Sequence, residues 1–260
     1  MIHIKNLSFH YPNSKWVISN LNLEIARGTW NTIAGPVGSG KSTLAKLIKG
    51  IIQPQEGQVV FDSEISMGPE KIGYISGSDL GSVVGITVLD DICFGMENLC
   101  MTRNQMWARA RNVLDWTGLL GLESRLTHTL SGGELQKLSL ASTLASGANT
   151  LILDEAFSML DAVARGAIRT LIVHLKRELA LTIIEITNQA RDISSRDPVI
   201  FLDCDKEIKI FKSGDQFLSS SDGIRWILPQ GGVRSLLPSV SEKDRSRMKL
   251  LLNSLNITSD

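Results

Sequence analysis

The stretch "WNTIAGPVGSGKSTLAKLIKGI" (30–51) decides the fold. It begins with a short strand, "WNTIAG" (30–35), passes through a glycine-rich loop, and continues with the apolar spacing of a helix. The loop itself, "GPVGSGKST" (35–43), fits the pattern G-x-x-x-x-G-K-[ST] and lies in the strand–loop–helix context that this pattern requires. The sequence therefore predicts an α/β domain organised around this loop.

The loop has the chemistry of a phosphate-binding site, a P-loop. Glycines let backbone amides turn inward around phosphate oxygens, and the following helix adds the positive end of its dipole. We expect Lys41 to reach the outer phosphates of a nucleotide and Ser42 to ligate Mg²⁺. The predicted nucleotide-binding residues of the loop are Gly35, Pro36, Val37, Gly38, Ser39, Gly40, Lys41, Ser42 and Thr43.

A second motif, "LILDE" (151–155), is a continuous apolar run that ends in two acidic residues. Such a run is typical of a buried parallel strand. In a chain that also has a P-loop, Asp154 is placed to hold Mg²⁺ through water and Glu155 to polarise an attacking water. We therefore predict Ser42 and Asp154 as the metal site and Glu155 as a catalytic residue.

A third motif, "LSGGELQK" (130–137), opens a helix with a serine and two glycines. Free amides and a hydroxyl at a helix start form a second anion-binding surface. One chain cannot fold this surface onto its own P-loop if both lie on one face at a distance, so we expect it to close on the nucleotide of a second subunit. The residues of this predicted surface are Ser131, Gly132, Gly133 and Glu134.

Together these motifs resemble the nucleotide-binding subunits of ABC transporters, over roughly residues 1–215. The resemblance implies a P-loop NTPase core, an antiparallel β subdomain, a helical signature subdomain at about 87–147 and a small C-terminal extension. It also implies that Tyr11 stacks on adenine. The segment "SMLD" (158–161) then corresponds to the family's D-loop, with Asp161 facing the partner's site.

Within that family, residues 87–119 look most like the ATPase subunits of energy-coupling-factor (ECF) importers, which drive uptake of vitamins and transition-metal ions. This resemblance implies ATP and Mg²⁺ as ligands. It implies three partners: a second ABC ATPase subunit, an integral membrane coupling subunit and a substrate-binding membrane subunit. The expected location is the cytoplasmic face of the membrane. An extension at 215–260, after an ATP-binding domain at 1–214, fits the tail through which those subunits pair.

Two positions depart from the family's pattern. After the strand at 71–75 the family has a glutamine that ligates Mg²⁺, but this sequence has Gly77, with Ser78 or Asp79 as substitutes from a shifted position. The family's histidine, which contacts the γ-phosphate, is replaced by Asn188, whose amide can donate a hydrogen bond but cannot become a cation. We therefore expect a site that binds nucleotide but hydrolyses it weakly, in a heterodimer rather than a homodimer.

Bulk composition argues against other classes of function. Lys plus Arg equals Asp plus Glu at 27 each, so no net field draws the chain to nucleic acid or anionic lipid. We expect no signal peptide, because "MIHIKNLSFHYP" (1–12) alternates polar and apolar residues instead of leading from a charged stretch into an apolar run. We expect no membrane-spanning segment, because no apolar run reaches the ~18–20 residues that a span needs.

Two alternative interpretations stay open. One is a soluble ABC ATPase outside transport. The other is a non-hydrolysing regulatory subunit, which Gly77 and Asn188 favour and Glu155 disfavours.

Overall fold

The computed structural model describes residues 1–62, 68–77, 83–203 and 207–227. Ser78, Asp79 and most of the extension predicted at 215–260 lie outside these ranges. In chain order the strands and α-helices are β1 (Ile2–Phe9), β2 (Ile18–Ile25), β3 (Trp30–Ala34), α1 (Lys41–Lys49), β4 (Glu56–Phe61), β5 (Ile72–Ser76), α2 (Val88–Glu97), α3 (Arg103–Thr117), α4 (Gly132–Ala145), β6 (Thr150–Asp154), α5 (Ala162–Glu178), β7 (Thr182–Thr187), β8 (Val199–Leu202), β9 (Ile208–Phe211), α6 (Gly214–Leu218) and α7 (Ser221–Ile227).

A six-stranded sheet forms the centre of the molecule, in the order β5-β6-β7-β3-β8-β9. The first five strands in this order, β5, β6, β7, β3 and β8, pair in parallel with their neighbours. Strand β9 pairs antiparallel with β8 at the edge of the sheet. Strands β3, β6 and β7 are buried along their whole length, and for β6 the continuous apolar run predicts this. Since parallel strands end at the same edge of the sheet, the loops after β3, β5, β6 and β7 converge there.

A separate three-stranded antiparallel sheet has the order β2-β1-β4. In β2, "ISNLNLEI", apolar and polar residues alternate over most of the strand, and the apolar set is buried. Because side chains alternate between the two faces of a strand, one face of this sheet is buried and the other is exposed to solvent. The buried side chains of β1 and β2 pack with those of α1 in one apolar cluster, which therefore joins the small sheet to the P-loop helix.

Helices α2, α3 and α4 pack on one another and on the central sheet in a second apolar cluster. Their starts are set by the sequence: Thr87 with Asp90 and Ser131 with Glu134 form capping boxes for α2 and α4. Helix α3 ends at Gly118, whose left-handed backbone stops the helix. Among the described helices, none combines the length and the apolarity needed to span a membrane.

Helices α6 and α7 cover the outer flank of the β8–β9 hairpin. The ring centroids of Phe201 and Phe217 lie 5.0 Å apart, and those of Phe217 and Trp226 lie 5.7 Å apart. The same apolar cluster contains Ala34, the last residue of β3 before the P-loop. Residues 214–227 therefore pack directly on the sheet that carries the P-loop.

Candidate nucleotide-binding site

The P-loop follows β3 and wraps tightly around the start of α1. A Cβ atom on Gly35 would lie 2.2 Å from the carbonyl oxygen of Leu202, so only glycine fits there. Gly40, with φ of 104°, caps α1, and no described side chain caps the amides of its first turn. No acidic residue lies in that turn either. The positive end of this helix is therefore open to an anion from outside the chain.

Lys41 and Ser39 give the loop buried polar groups that suit a phosphate. Lys41 is 5% exposed, and its Nζ donates a hydrogen bond of 2.7 Å to the carbonyl oxygen of Pro36. The Ser39 hydroxyl oxygen is buried and has no hydrogen-bond partner among the described residues. A buried ammonium beside open helix amides and an unused hydroxyl fits a bound phosphate chain.

Ser42 and Asp154 meet at the carboxyl end of the sheet. The Ser42 hydroxyl donates to Asp154 Oδ1 over 3.1 Å, and the Tyr74 hydroxyl donates to Asp154 Oδ2 over 2.5 Å. Oxygen donors of this kind are those that Mg²⁺ prefers, so the pair predicted from the sequence fits that ion. Tyr74 was not foreseen, although it lies on β5, the strand paired with β6.

Glu155 follows Asp154 with a left-handed backbone, at φ of 48°. Its N–H donates to the carbonyl oxygen of Ile186 over 3.0 Å, which ties it to β7. Burial raises the pKa of the Glu155 carboxyl, and Asp154 and Asp192 add to the rise while the Lys41 ammonium opposes it. A raised pKa brings a carboxylate closer to the range in which it accepts a proton from water.

The signature surface is organised around Ser131 and Glu134. The Ser131 hydroxyl donates to Glu134 Oε2 over 2.8 Å and accepts the Glu134 N–H over 3.3 Å. Hydrogen bonds from the Ser131 backbone and hydroxyl lower the pKa of Glu134, and Arg125 pairs with it at 3.0 Å. Ser131 and Gly132 are exposed. The start of α4 is therefore a preformed polar surface that another molecule can reach.

Comparison with known proteins decides the identity of this arrangement. The family described as ABC transporter matches residues 18–158, more than half of the chain. The chain belongs to the ABC transporter ATP-binding family. It is an ABC-type ATPase, as the motifs predicted.

Individual relatives place the chain more closely within that family. It is 40% identical over 209 residues to the energy-coupling factor transporter ATP-binding protein EcfA1 of Fusobacterium nucleatum, with 78% of each chain covered. It is 38% identical over 222 residues to EcfA of Pediococcus pentosaceus, covering 82% of this chain and 78% of that one. The predicted resemblance to ECF ATPase subunits is thus confirmed.

A solved structure confirms the predicted α/β fold class. CbiO1 from Clostridium perfringens, described as part of the ABC transporter complex cbiONQ, matches with a TM-score of 0.76 at 26% identity. The match covers 91% of this chain and 98% of that chain.

Gly77 lies against the peptide that carries the ATPase's candidate catalytic carboxylate. Its N–H donates to the carbonyl oxygen of Asp154 over 3.0 Å. A Cβ atom on Gly77 would lie 2.1 Å from the carbonyl oxygen of Glu155 and 2.8 Å from the Ser158 hydroxyl. The glutamine that the family has at this position therefore does not fit without a shift of the backbone.

Asn188 lines a small cavity next to Glu155, together with Ser158, Gln189 and Asp192. The volume of about 10 Å³ is just enough for one water molecule. The Gln189 Oε1 atom is buried and has no hydrogen-bond partner among the described residues. Gln189 and Glu155 both line this cavity.

The turn that carries Asn188 is held by its own neighbours. The Thr187 hydroxyl donates to Asp192 Oδ2 over 2.8 Å and accepts the Gln189 N–H over 2.9 Å. Arg169 Nη2 donates to the Asp192 carbonyl oxygen over 2.6 Å. The turn in which the resemblance leads one to expect a histidine is thus well formed, with the amide of Asn188 at that position.

A buried ion pair under that turn was missed from the sequence. Glu185 on β7 is 3% exposed and accepts hydrogen bonds from Arg169 of α5 and from Trp30 Nε1, the latter over 2.9 Å. The Arg169 guanidinium lies 5.2 Å from the Trp30 ring centroid. Burial raises the pKa of Glu185, and the hydrogen bonds from Arg169 and Trp30 oppose the rise. The lone acidic residue inside the apolar run 183–186 was the available signal.

Tyr11 and Asp161, two further predicted site residues, are both exposed. The Tyr11 ring is 41% exposed, and its hydroxyl lies 3.3 Å from Thr43 Oγ1 of the P-loop. Asp161 is exposed and caps α5 by accepting the Ala164 N–H over 2.8 Å. A Cβ atom on Gly132 would lie 3.6 Å from the Leu160 side chain, so the D-loop and the signature surface are neighbours. Both contain exposed residues, Asp161 in the D-loop and Ser131 in the signature surface.

Proposed function

We propose that this chain is the ATP-binding subunit of an ECF-type membrane importer. In a head-to-tail dimer, it uses ATP binding and hydrolysis to drive uptake of a vitamin or a metal ion. Tyr11 stacks on the adenine, and the P-loop at 35–43 binds the phosphates. The names of the ECF relatives support the transporter class.

Ser42 and Asp154 hold Mg²⁺ in this proposal, and the ion offsets charge that develops on the phosphates. Lys41 binds the outer phosphates, because its buried ammonium lies at the base of the loop. Glu155 orients a water and draws on its proton, since its pKa is raised by burial. Asn188 donates a hydrogen bond where the family has a cation, and so it stabilises the transferring phosphate less.

The chain's own site is the weak one of two. One observation supports this proposal most directly. A Cβ atom on Gly77 would lie 2.1 Å from the Glu155 carbonyl oxygen, so the position has no room for a glutamine side chain. In this proposal, a site that lacks both the glutamine that ligates Mg²⁺ and the histidine that contacts the γ-phosphate still binds nucleotide but hydrolyses it weakly. Loss of one transition-state contact commonly costs about 10²–10³ in rate. The signature surface around Ser131 is complete and serves the partner's nucleotide.

This division of labour favours a heterodimer with a second ABC ATPase subunit. Residues 1–214 form the ATP-binding domain of this proposal, and 215–260 form the extension that pairs the subunits. An integral membrane coupling subunit and a substrate-binding membrane subunit complete the assembly at the cytoplasmic face. Three exposed apolar side chains support docking of the membrane subunit near α2: Val84, Ile86 and Phe94, which are 61%, 73% and 47% exposed.

The test begins with purification of this chain from its native membrane. We expect a second ATPase subunit and a multi-helix membrane protein to copurify. In that complex, Glu155→Gln here should leave most of the ATPase activity, whereas Ser131→Arg should lower it at least about tenfold, because it obstructs the anion surface. Glu178→Gln at the exposed end of α5 is the control for loss of a carboxylate.

Two results would contradict the proposal. Robust turnover by the purified chain alone, abolished by Glu155→Gln, would mean that its own site is competent. Unchanged turnover of the complex with Ser131→Arg would instead favour a non-hydrolysing regulatory subunit, the alternative that Gly77 and Asn188 support.

A further inference from the structure

Asp91 is a buried carboxylate on α2 to which the sequence motifs assign no role. It is 7% exposed. Its Oδ1 accepts the backbone N–H groups of Val84 and Gly85 over 2.9 and 3.1 Å, and its Oδ2 accepts the Ser142 hydroxyl over 2.6 Å. A buried carboxylate is stable only when its oxygens are satisfied, so these three donors and Asp91 fix one another's positions. Asp91 thereby ties residues 84–88, the entry segment, to α4.

The other edge of the entry segment is bound to the residues that lead into the signature. The Thr127 N–H donates to the Ile86 carbonyl oxygen over 3.0 Å, and its hydroxyl donates to the Gly85 carbonyl oxygen over 2.9 Å. The Val88 N–H donates to the carbonyl oxygen of Arg125 over 3.0 Å. The entry segment is therefore held from both sides.

Both sets of contacts, those of Asp91 and those of residues 125–129, lead to the helix that Ser131 caps. Arg125 reaches forward to Glu134, the capping partner of Ser131, over 3.0 Å, and to the Thr129 carbonyl oxygen over 3.0 Å. Ser142 lies on the same helix whose first turn Ser131 caps. The Asp91 carboxylate thus connects the entry segment to the middle of α4. Residues 125–129 connect the entry segment to the start of α4. These contacts link the position of the entry segment to that of the signature surface.

We propose that Asp91 is a positioning residue that sets the orientation of the signature surface on the partner's nucleotide. It contacts no nucleotide in this role and acts through the entry segment and α4. The proposal rests on the proposed function, in which Ser131 completes the partner's site. Catalysis is sensitive to such placement, because a misplacement of ~1 Å can cost ~10² in rate.

The test compares Asp91→Ala with Asp91→Asn in the assembled complex. Asp91→Ala removes the acceptor for all three donors and should lower kcat about tenfold or more. Asp91→Asn keeps an oxygen for the two backbone amides, and its NH₂ can donate to the Ser142 oxygen, so it should restore most of kcat. ATP affinity of the isolated chain, which reports on its own P-loop, should stay at the parent value in both variants.

Ser142→Ala gives a second, milder variant in case Asp91→Ala does not fold. It cuts only the link between Asp91 and α4, and it should lower kcat several-fold. Ser146→Ala, one turn further on at the C-cap of α4, is the matched control, because among the described residues the Ser146 hydroxyl hydrogen-bonds to the Ser142 carbonyl oxygen alone, over 3.0 Å.

The outcomes separate this proposal from the proposed function. Parent-level kcat in Ser142→Ala or in soluble Asp91→Ala, with Ser131→Arg inactive, would overturn the role of Asp91 and leave the proposed function intact. Equal losses in Asp91→Ala and Asp91→Asn, or weaker ATP binding by the isolated chain, would also overturn it. If Ser131→Arg itself has no effect, the proposed function fails, and the role of Asp91 fails with it.

Discussion

The carbonyl oxygen of Glu155 lies 2.1 Å from the point at which a side chain on Gly77 would begin. The two residues follow neighbouring parallel strands, β5 and β6, whose last residues, Ser76 and Asp154, are paired in register. The left-handed backbone of Glu155 and the missing side chain at position 77 are thus features of one local arrangement. Restoring a glutamine at position 77 would require movement of the peptide that carries the candidate catalytic carboxylate.

Gly77→Ala should therefore destabilise the protein. Added atoms in a filled space commonly cost ~1–3 kcal/mol, and denaturant unfolding of the purified chain measures the loss. Gly166→Ala on α5 is the control, because a Cβ atom there meets nothing within 4 Å. Removing a glycine from the interior of a helix should stabilise by about 0.5–1 kcal/mol. Equal stability of Gly77→Ala and the parent would show that the Glu155 peptide yields readily.

Lys41→Ala should lower ATP affinity by one to two orders of magnitude. The buried ammonium would lose a charge-assisted contact with phosphate, worth about 1.5–3 kcal/mol. Calorimetric titration of the isolated chain gives the affinity directly. Lys46→Ala removes the same charge near the other end of α1 and should bind ATP as the parent does. Equal affinities of Lys41→Ala and the parent would refute the assignment of the P-loop as the phosphate-binding site.

The two parts of the Tyr11 side chain should contribute unequally to ATP binding. Tyr11→Ala removes the stacking surface, which is worth about 1–3 kcal/mol per base, and should weaken binding at least about fivefold. Tyr11→Phe removes only the 3.3 Å contact with Thr43 and should bind nearly as the parent does. A loss in Tyr11→Phe as large as that in Tyr11→Ala would place the role in the hydroxyl instead.

Glu155→Gln should stabilise the nucleotide-free chain slightly at neutral pH. Burial raises the pKa of this carboxyl in the folded state, so the charged form destabilises the fold at pH values above that raised pKa. As the pH falls towards the ordinary pKa of about 4.3, the folded state takes up the proton first and the penalty disappears. The partly open carboxyl limits the gain to about 0.5 kcal/mol or less.

Melting curves of Glu155→Gln and the parent from pH 4 to pH 8 test this dependence. The difference between the two should be largest at neutral pH and vanish near pH 4. A difference that grows on acidification would contradict the direction of the shift.

Arg169→Ala should be among the most destabilising changes in the chain. It would leave the Glu185 carboxylate buried without its cation, a change that typically costs about 3–5 kcal/mol. Arg177→Ala, at an exposed position on the same helix, should cost less than about 0.5 kcal/mol. Adding Glu185→Leu to Arg169→Ala should recover much of the loss, because the unpaired charge is then gone. Denaturant unfolding of the four proteins measures these differences.

Local patterns predicted most of the fold and much of the site. Strand β6 was placed to within one residue, because a buried parallel strand is apolar along its length. The P-loop was recognised from spacing alone, and the short contact of Ser42 with Asp154 agrees with the metal pair inferred from two distant motifs.

The misses have a common physical origin. The close approach of Gly77 and Glu155, the Tyr74 contact with Asp154, and the pairing of Arg169 with Glu185 join residues from different elements. The local spacing of apolar and polar residues in the sequence does not indicate contacts between different elements. Helices α6 and α7 were missed because five and seven residues are too few for a helical pattern to stand out.

The aromatic packing of Phe201, Phe217 and Trp226 limits how far the protein can be shortened. A truncation at residue 213 would remove both helices that cover β8 and β9, and would expose a continuous apolar flank of the central sheet. Such a surface promotes aggregation in a monomeric soluble protein. It would also loosen the strand whose Leu202 carbonyl oxygen lies against Gly35. A minimal ATPase fragment with good solubility should therefore extend to residue 227.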